Sequence, residues 1–267
     1  MTRTPTYDFT TIRVERIGAV LKCVIDNPAS EMNVVDGALH DDLTALFRDL
    51  RDERQARAIL LTGSKRAFCA GGDFKWFPTL ATVGRLEALR QDATAMIWDL
   101  LEVRQPIVCA LNGHAMGLGA SLALLCDSIV MADTARIADP HVRVGIVAGD
   151  GGTAIWPLAL GPALAKRYLL TGDPLDAATA LRLGLVTDVV PSEELMAYAM
   201  ALTQRLADGA PLAIQYTKAA VNKLVKDALN TAFDHATSSE LVTFLSDDHR
   251  EALAAIAEKR PPRFSGA

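Results

Sequence analysis

Two short apolar runs, AILLT (58–62) and PIVCALN (106–112), each lead into a glycine-bearing segment followed by a helical pattern. Runs this short and this apolar fit strands buried on both faces of a parallel sheet, and parallel neighbours must be joined by a crossover of a dozen or more residues, usually helical. A chain that repeats the unit is confined to an α/β architecture.

The segment GSKRAFCAGGDFKWF (63–77) has neither helical nor strand period and precedes a helix expected from about Gly84 to Glu102. GHAMGLGASLALLC (113–126) passes from glycines and small residues into an apolar helical stretch. After strand-like SIVMAD (128–133) and ARIAD (135–139), a third glycine-rich loop opens a helix in GIVAGDGGTAIWPLALG (145–161). Upstream, TIRVER and AVLKCVIDN flank a turn at Ile17-Gly18, predicting a β-hairpin over 11–27 that Asn27-Pro28 ends. Leu39, Leu43, Leu46 and Leu50 predict an amphipathic helix over 36–51 capped by Asp36. Beyond Thr171 the pattern is mostly helical, with a capping signature at PSEEL (191–195). No Pro/Ser/Gly-rich linker intervenes, so residues 1–191 are expected to form the core and 192–267 a helical region of the same domain.

Composition narrows the function. With 50% apolar and 22% charged residues, the 267-residue chain can bury a sizeable core. A net charge of −5 argues against nucleic acid as a partner, because affinity for it comes largely from Lys and Arg on phosphates. No stretch approaches 18 uncharged apolar residues, and MTRTPTYDFTTIRVER lacks a signal-peptide core, so neither membrane insertion nor export is expected. Cys23, Cys69, Cys109 and Cys126 form no CxxC pair and read as reduced core thiols of a cytoplasmic protein.

The glycine loops match neither a dinucleotide fingerprint nor a P-loop. Two of them, around Ala70 and Leu118, each offer a backbone N–H near a helix start. Such donors serve a tight strand-to-helix turn, or, converging on one oxygen, an oxyanion hole worth roughly 3 to 4 kcal/mol per donor.

RAFCAGGDFKWF (66–77), LNGHAMGLGASLALLCDSIVMAD (111–133), the stretch from Gly145 to Pro191 and the terminal EKRPPRF (258–264) together resemble the crotonase (enoyl-CoA hydratase/isomerase) superfamily. The resemblance implies a spiral of ββα units with a C-terminal helical region that covers the active site and supports a homotrimer or dimer of trimers. It implies an acyl-CoA substrate, with coenzyme A as part of the substrate and no separate cofactor. The N–H groups of Ala70 and Leu118 would form the oxyanion hole, and Gly71, Gly72, Asp73, Lys75 and Gly117 would bind substrate. Lys259 would meet the CoA phosphates, although a solvated tail charge is the more common role of such a lysine.

The chain departs from the ordinary hydratase pattern at both glutamate positions, which fall on Ser121 and His141. A serine orients water but is a poor base near neutral pH. Asp150 matches a position where some members of the superfamily carry a working aspartate, although a residue opening a helix is also the ordinary home of an N-cap. His141 has a side chain that titrates near neutrality and would pair with Asp150, unless it is simply hydrogen-bonded at a strand end. His40, on the border of the first helix's apolar face, and Glu240, read as a single exposed carboxylate of a late helix, complete a set resembling the β-diketone hydrolase branch typified by 6-oxocamphor hydrolase. That branch cleaves a carbon–carbon bond without CoA; a third reading of the two missing glutamates is a non-catalytic relative that binds acyl-CoA without turning it over. No His or Cys spacing suggests a metal site.

Overall fold

The computed structural model describes residues 6–267; residues 1–5, with which the expected core segment begins, lie outside the described residues. The hairpin forms from β1 (Ile12–Ile17) and β2 (Val20–Ile25), turning at Gly18 with a positive φ of 59°. In α1 (Gly37–Asp52), Asp36 accepts a hydrogen bond from the Leu39 N–H, and Leu39, Leu43, Leu46, Phe47 and Leu50 are buried.

The repeating unit then appears three times. Each unit gives one strand to a six-stranded sheet and the next to a four-stranded sheet before its helix. The pairs are β3 (Ala58–Gly63) with β4 (Ala67–Cys69), before α2 (Val83–Glu102); β5 (Ile107–Leu111) with β6 (His114–Met116), before α3 (Leu118–Leu124); and β7 (Ser128–Ala132) with β8 (Arg136–Ala138), before α4 (Gly152–Leu169). After β9 (Leu175–Asp176), α5 (Ala177–Arg182) and β10 (Asp188–Val190), the sheet orders are β1-β2-β3-β5-β7-β10 and β4-β6-β8-β9. All pairings from β2 to β10 in the larger sheet are parallel, so β3 and β5 are buried along their whole length as their composition requires.

Two local expectations are corrected. The 63–77 segment is not free of strand: β4 lies within it, and, like β6, spans only three residues, too few to display a two-residue period. PSEEL does not cap a helix through serine, because Ser192 bonds Asp133 while α6 (Leu195–Asp208) starts after Glu194 without a side-chain cap.

The remaining helices are α7 (Pro211–Phe244) and α8 (Asp247–Glu258). α6 packs on β3, β5 and β7, and α7 on α2 and α4. Lys218 pins α7 through Asp127 (2.7 Å) and the Gln105 carbonyl (2.9 Å), and the helix then carries Glu240 about 33 Å further at 1.5 Å per residue. The four cysteines are buried and unpaired, and no helix among the described residues is long and apolar enough to cross a membrane.

Candidate active site

The parallel pairing of β4 with β6 brings two glycine loops together. Gly119 makes the approach possible, since a Cβ there would lie 2.2 Å from the Cys69 carbonyl oxygen. Leu118 is the first residue of α3, so its N–H has no partner within the helix. Opposite it, the Val35 N–H donates to the Gly71 oxygen (2.8 Å), and the Asp73 N–H donates to the Val35 oxygen (2.9 Å). These bonds flank Gly72 and turn its own N–H the other way. Among the described residues, no acceptor takes the N–H of Gly72 or of Leu118. Ala70, the donor expected from the sequence, is already engaged: its N–H donates to the Met32 oxygen at 3.1 Å.

Gly72 stands where two cavities meet. One has Leu118, His40, His141, Asp150 and Glu240 in its lining, with Trp76, Phe77, Leu86 and Phe244 as apolar wall. The other has Ala70, Gly71, Gly117 and Arg143 in its lining, and shares Gly72, Phe77, His141 and Ile146 with the first. Asp73, Lys75 and Lys259 line neither. Asp73 instead accepts the Lys75 N–H, and exposed Lys259 ends α8 in the left-handed region.

The polar side chains converge on His141, which opens the short 3-10 turn His141–Val144. Its Nδ1 is hydrogen-bonded to Asp139 Oδ1, and its Nε2 lies 3.5 Å from Asp150 Oδ2. The Ser121 hydroxyl donates to Asp150 Oδ1 at 3.0 Å. Asp150 is therefore not the N-cap of α4, a position held by Gly151. Glu240, expected to be exposed, is half-buried in the cavity wall against Gly149. His40 is buried beside Trp76, and its Nε2 has no hydrogen-bond partner.

Crowding these groups together shifts their ionisation. Burial pushes Glu240 up to about 8, and the carboxylates of Asp150 and Asp139 add to the shift while His141 opposes it. Burial also raises Asp150, with Asp139 adding to it and His141, Ser121 and the Gly152 N–H opposing. For His141 burial works against the charged ring, but Asp139 and Asp150 outweigh it and push the group up to about 10. The ring is thereby held in its cationic form at neutral pH, between the side chains of Asp139 and Asp150. Asp139, His141 and Asp150 also bring ligand-type atoms within 4.8 Å of one another, a spacing that would suit a metal ion, but both imidazole nitrogens already face the carboxylates.

Asp139 is the residue sequence reasoning passed over. Its signal was the spacing Asp139-Pro140-His141, which puts a carboxylate two positions from the ring with a rigid residue between.

Comparison with known proteins matches this architecture to one family. Residues 15–267 match the model of the enoyl-CoA hydratase/isomerase family. A probable enoyl-CoA hydratase of Mycobacterium tuberculosis is 33% identical over 257 residues, covering 96% of this chain and 98% of that protein. Among solved structures, an enoyl-CoA hydratase/isomerase from Mycobacterium paratuberculosis superposes with a TM-score of 0.88 at 37% identity, covering 93% of this chain and 99% of the other. A β-diketone hydrolase from Anabaena sp. PCC 7120, bound to (S)-3-oxocyclohexyl acetic acid, superposes at 0.85 with 28% identity, covering 90% and 97%. The two-sheet spiral with its helical cover is thus a crotonase fold, and the chain belongs to the enoyl-CoA hydratase/isomerase family.

Proposed function

We propose that the protein is an acyl-CoA enzyme that stabilises a thioester enolate on the N–H groups of Gly72 and Leu118 and handles water with Asp150 and His141 in place of a glutamate pair. The observation that carries this reading is the pair of unengaged N–H groups at the junction of two cavities, beside the His141–Asp150 pair. A thioester placed at the junction sends its acyl chain into one cavity and its other arm into the second. Two preorganised donors at the carbonyl oxygen supply roughly 3 to 4 kcal/mol each as negative charge develops there.

For a 2-enoyl thioester the steps follow from the ionisation of the site. Asp150, kept basic by burial, takes a proton from water as the oxygen adds to C3. The π electrons move through C2 to the thioester oxygen, giving the enolate held by Gly72 and Leu118. Glu240, protonated below about pH 8, gives its proton to C2; transfer of the proton gained by Asp150 back to Glu240 through solvent resets the site, so the net change is addition of water across the double bond. His141 is the cation that holds ionised Asp150 in place. The decisive variant is Asp150→Asn, which should fold normally and lose more than about a hundredfold in turnover; turnover like that of the wild type would remove Asp150 from the chemistry.

The buried, unpartnered Nε2 of His40 in the same cavity favours a second reading. With a cyclic β-diketone, water activated by Asp150 would add to one carbonyl. The carbon–carbon bond would break to a carboxylic acid and an enolate, and the enolate would take its proton from Glu240, with His40 donating to the second carbonyl. In either case we expect a homotrimer or dimer of trimers, with exposed apolar side chains such as Leu212, Tyr216 and Leu224 of α7 available for subunit contact.

A further inference from the structure

One carboxylate of the site has no part in the steps above. Asp139 is 2% exposed, and its Oδ1 accepts the hydrogen bond from His141 Nδ1. Its Oδ2 is buried without a hydrogen-bond partner and rests against the first residue of α4, where a Cβ on Gly152 would come within 2.1 Å of it. A carboxylate in such a position is costly unless opposite charge compensates it. Here the compensation comes from the imidazole on one side and the N-terminus of α4 on the other.

We infer that Asp139 is the positioning residue of the site: by accepting the Nδ1–H of His141 it fixes the ring with Nε2 toward Asp150 and holds it as the counter-ion of that base. With Nδ1 committed to Asp139, Nε2 faces Asp150 Oδ2 at 3.5 Å, an oxygen that has no hydrogen-bond partner. A neutral ring would set the Nε2 lone pair against those of a carboxylate, and a proton on Nε2 turns that repulsion into attraction. The charged groups facing the ring come from three directions: Asp139 after β8, Asp150 before α4 and Glu240 on α7. Arg143, in the same turn as His141, is drawn away to Asp173 at 2.7 Å. His249, from α8, donates its Nδ1–H to the Val144 oxygen of the same turn (2.7 Å) and otherwise packs on Phe77 and Phe244.

The inference rests on the proposed chemistry for its meaning but is read without a substrate, so its failure and that of the chemistry are separable. The experiment is nitrogen-15 NMR of the full-length protein labelled at histidine, with the His141 signals assigned by their loss in His141→Gln. The wild-type ring should stay doubly protonated up to pH 8.5. In Asp139→Asn its midpoint should fall by about 1 to 3 units, the scale for one nearby carboxylate, and Asp139→Glu should restore part of the shift. If a substrate is in hand, Asp139→Asn should lower kcat while leaving KM nearly unchanged. A neutral ring in the wild type at pH 7 overturns the inference even if the variants fail to fold, and so does an unchanged midpoint in folded Asp139→Asn.

Discussion

Ser121 Oγ donates a 3.0 Å hydrogen bond to Asp150 Oδ1, joining α3 to the loop ahead of α4. The serine satisfies one oxygen of the base and leaves the other facing His141. This bond holds Asp150 down against the upward push of burial. In Ser121→Ala the carboxyl should therefore titrate higher, and the acidic limb of the pH–rate profile should move to higher pH. At neutral pH the loss should be about ten- to a hundredfold, the worth of a hydrogen bond to a charged group. An unmoved limb would reduce Ser121 to packing.

Glu240 makes stability depend on pH in a defined direction. Its native state binds a proton up to about pH 8, whereas the unfolded chain releases it near 4.5. The unfolded state thus holds fewer protons between these values, and stability falls as pH rises through that window. His141, raised to about 10, loses its contribution in the same direction at higher pH. Thermal denaturation of wild type from pH 5 to 8 should show a declining Tm, and Glu240→Gln should flatten the decline. An equal slope in the two proteins would show that Glu240 is ionised across the window.

The hairpin, β3 and β5, the first helix and its Asp36 cap were legible because they are local: apolar runs and a leucine period state burial directly. His141, Asp150 and Ser121 were named from motif positions, but their mutual geometry depends on α3, the 3-10 turn after β8 and the loop before α4 meeting. Ala70 was misassigned because a free N–H cannot be read from a glycine loop. Only the long-range bond to Met32 shows which amide is used and which is left over. Glu240 looked exposed because a charged residue in a helix is ordinarily solvated, and the cavity that encloses it is built from distant parts of the chain, α1, α2, α7 and the loops between the strands.

Phe77 lies directly over Gly72 and leaves no room for a side chain there. A Cβ at this position would reach within 2.2 Å of the Phe77 ring. Gly72→Ala should lower kcat/KM by about a hundredfold or more, the scale for one oxyanion donor, through displacement of the ring and the loop. Phe77→Ala in the same chain should recover part of the loss. Steady-state kinetics of the two single variants and the double variant check this, and strictly additive losses would contradict it.

His40 separates the two chemistries. Burial lowers its pKa, so it is neutral at physiological pH and able to donate from Nε2 to a neutral carbonyl. His40→Ala should change thioester turnover by less than about tenfold but abolish hydrolysis of a cyclic β-diketone, where removing a carbonyl donor costs about a hundredfold or more. Assay of wild type and variant on both substrate classes decides between them.

The most direct measurement is calorimetric titration of the folded protein with an unreactive acyl-CoA thioether. Gly72, Leu118 and the two joined cavities predict one site per chain with a Kd near the micromolar range, about −8 kcal/mol. Folded protein that binds no thioether at millimolar concentration would contradict a thioester enzyme.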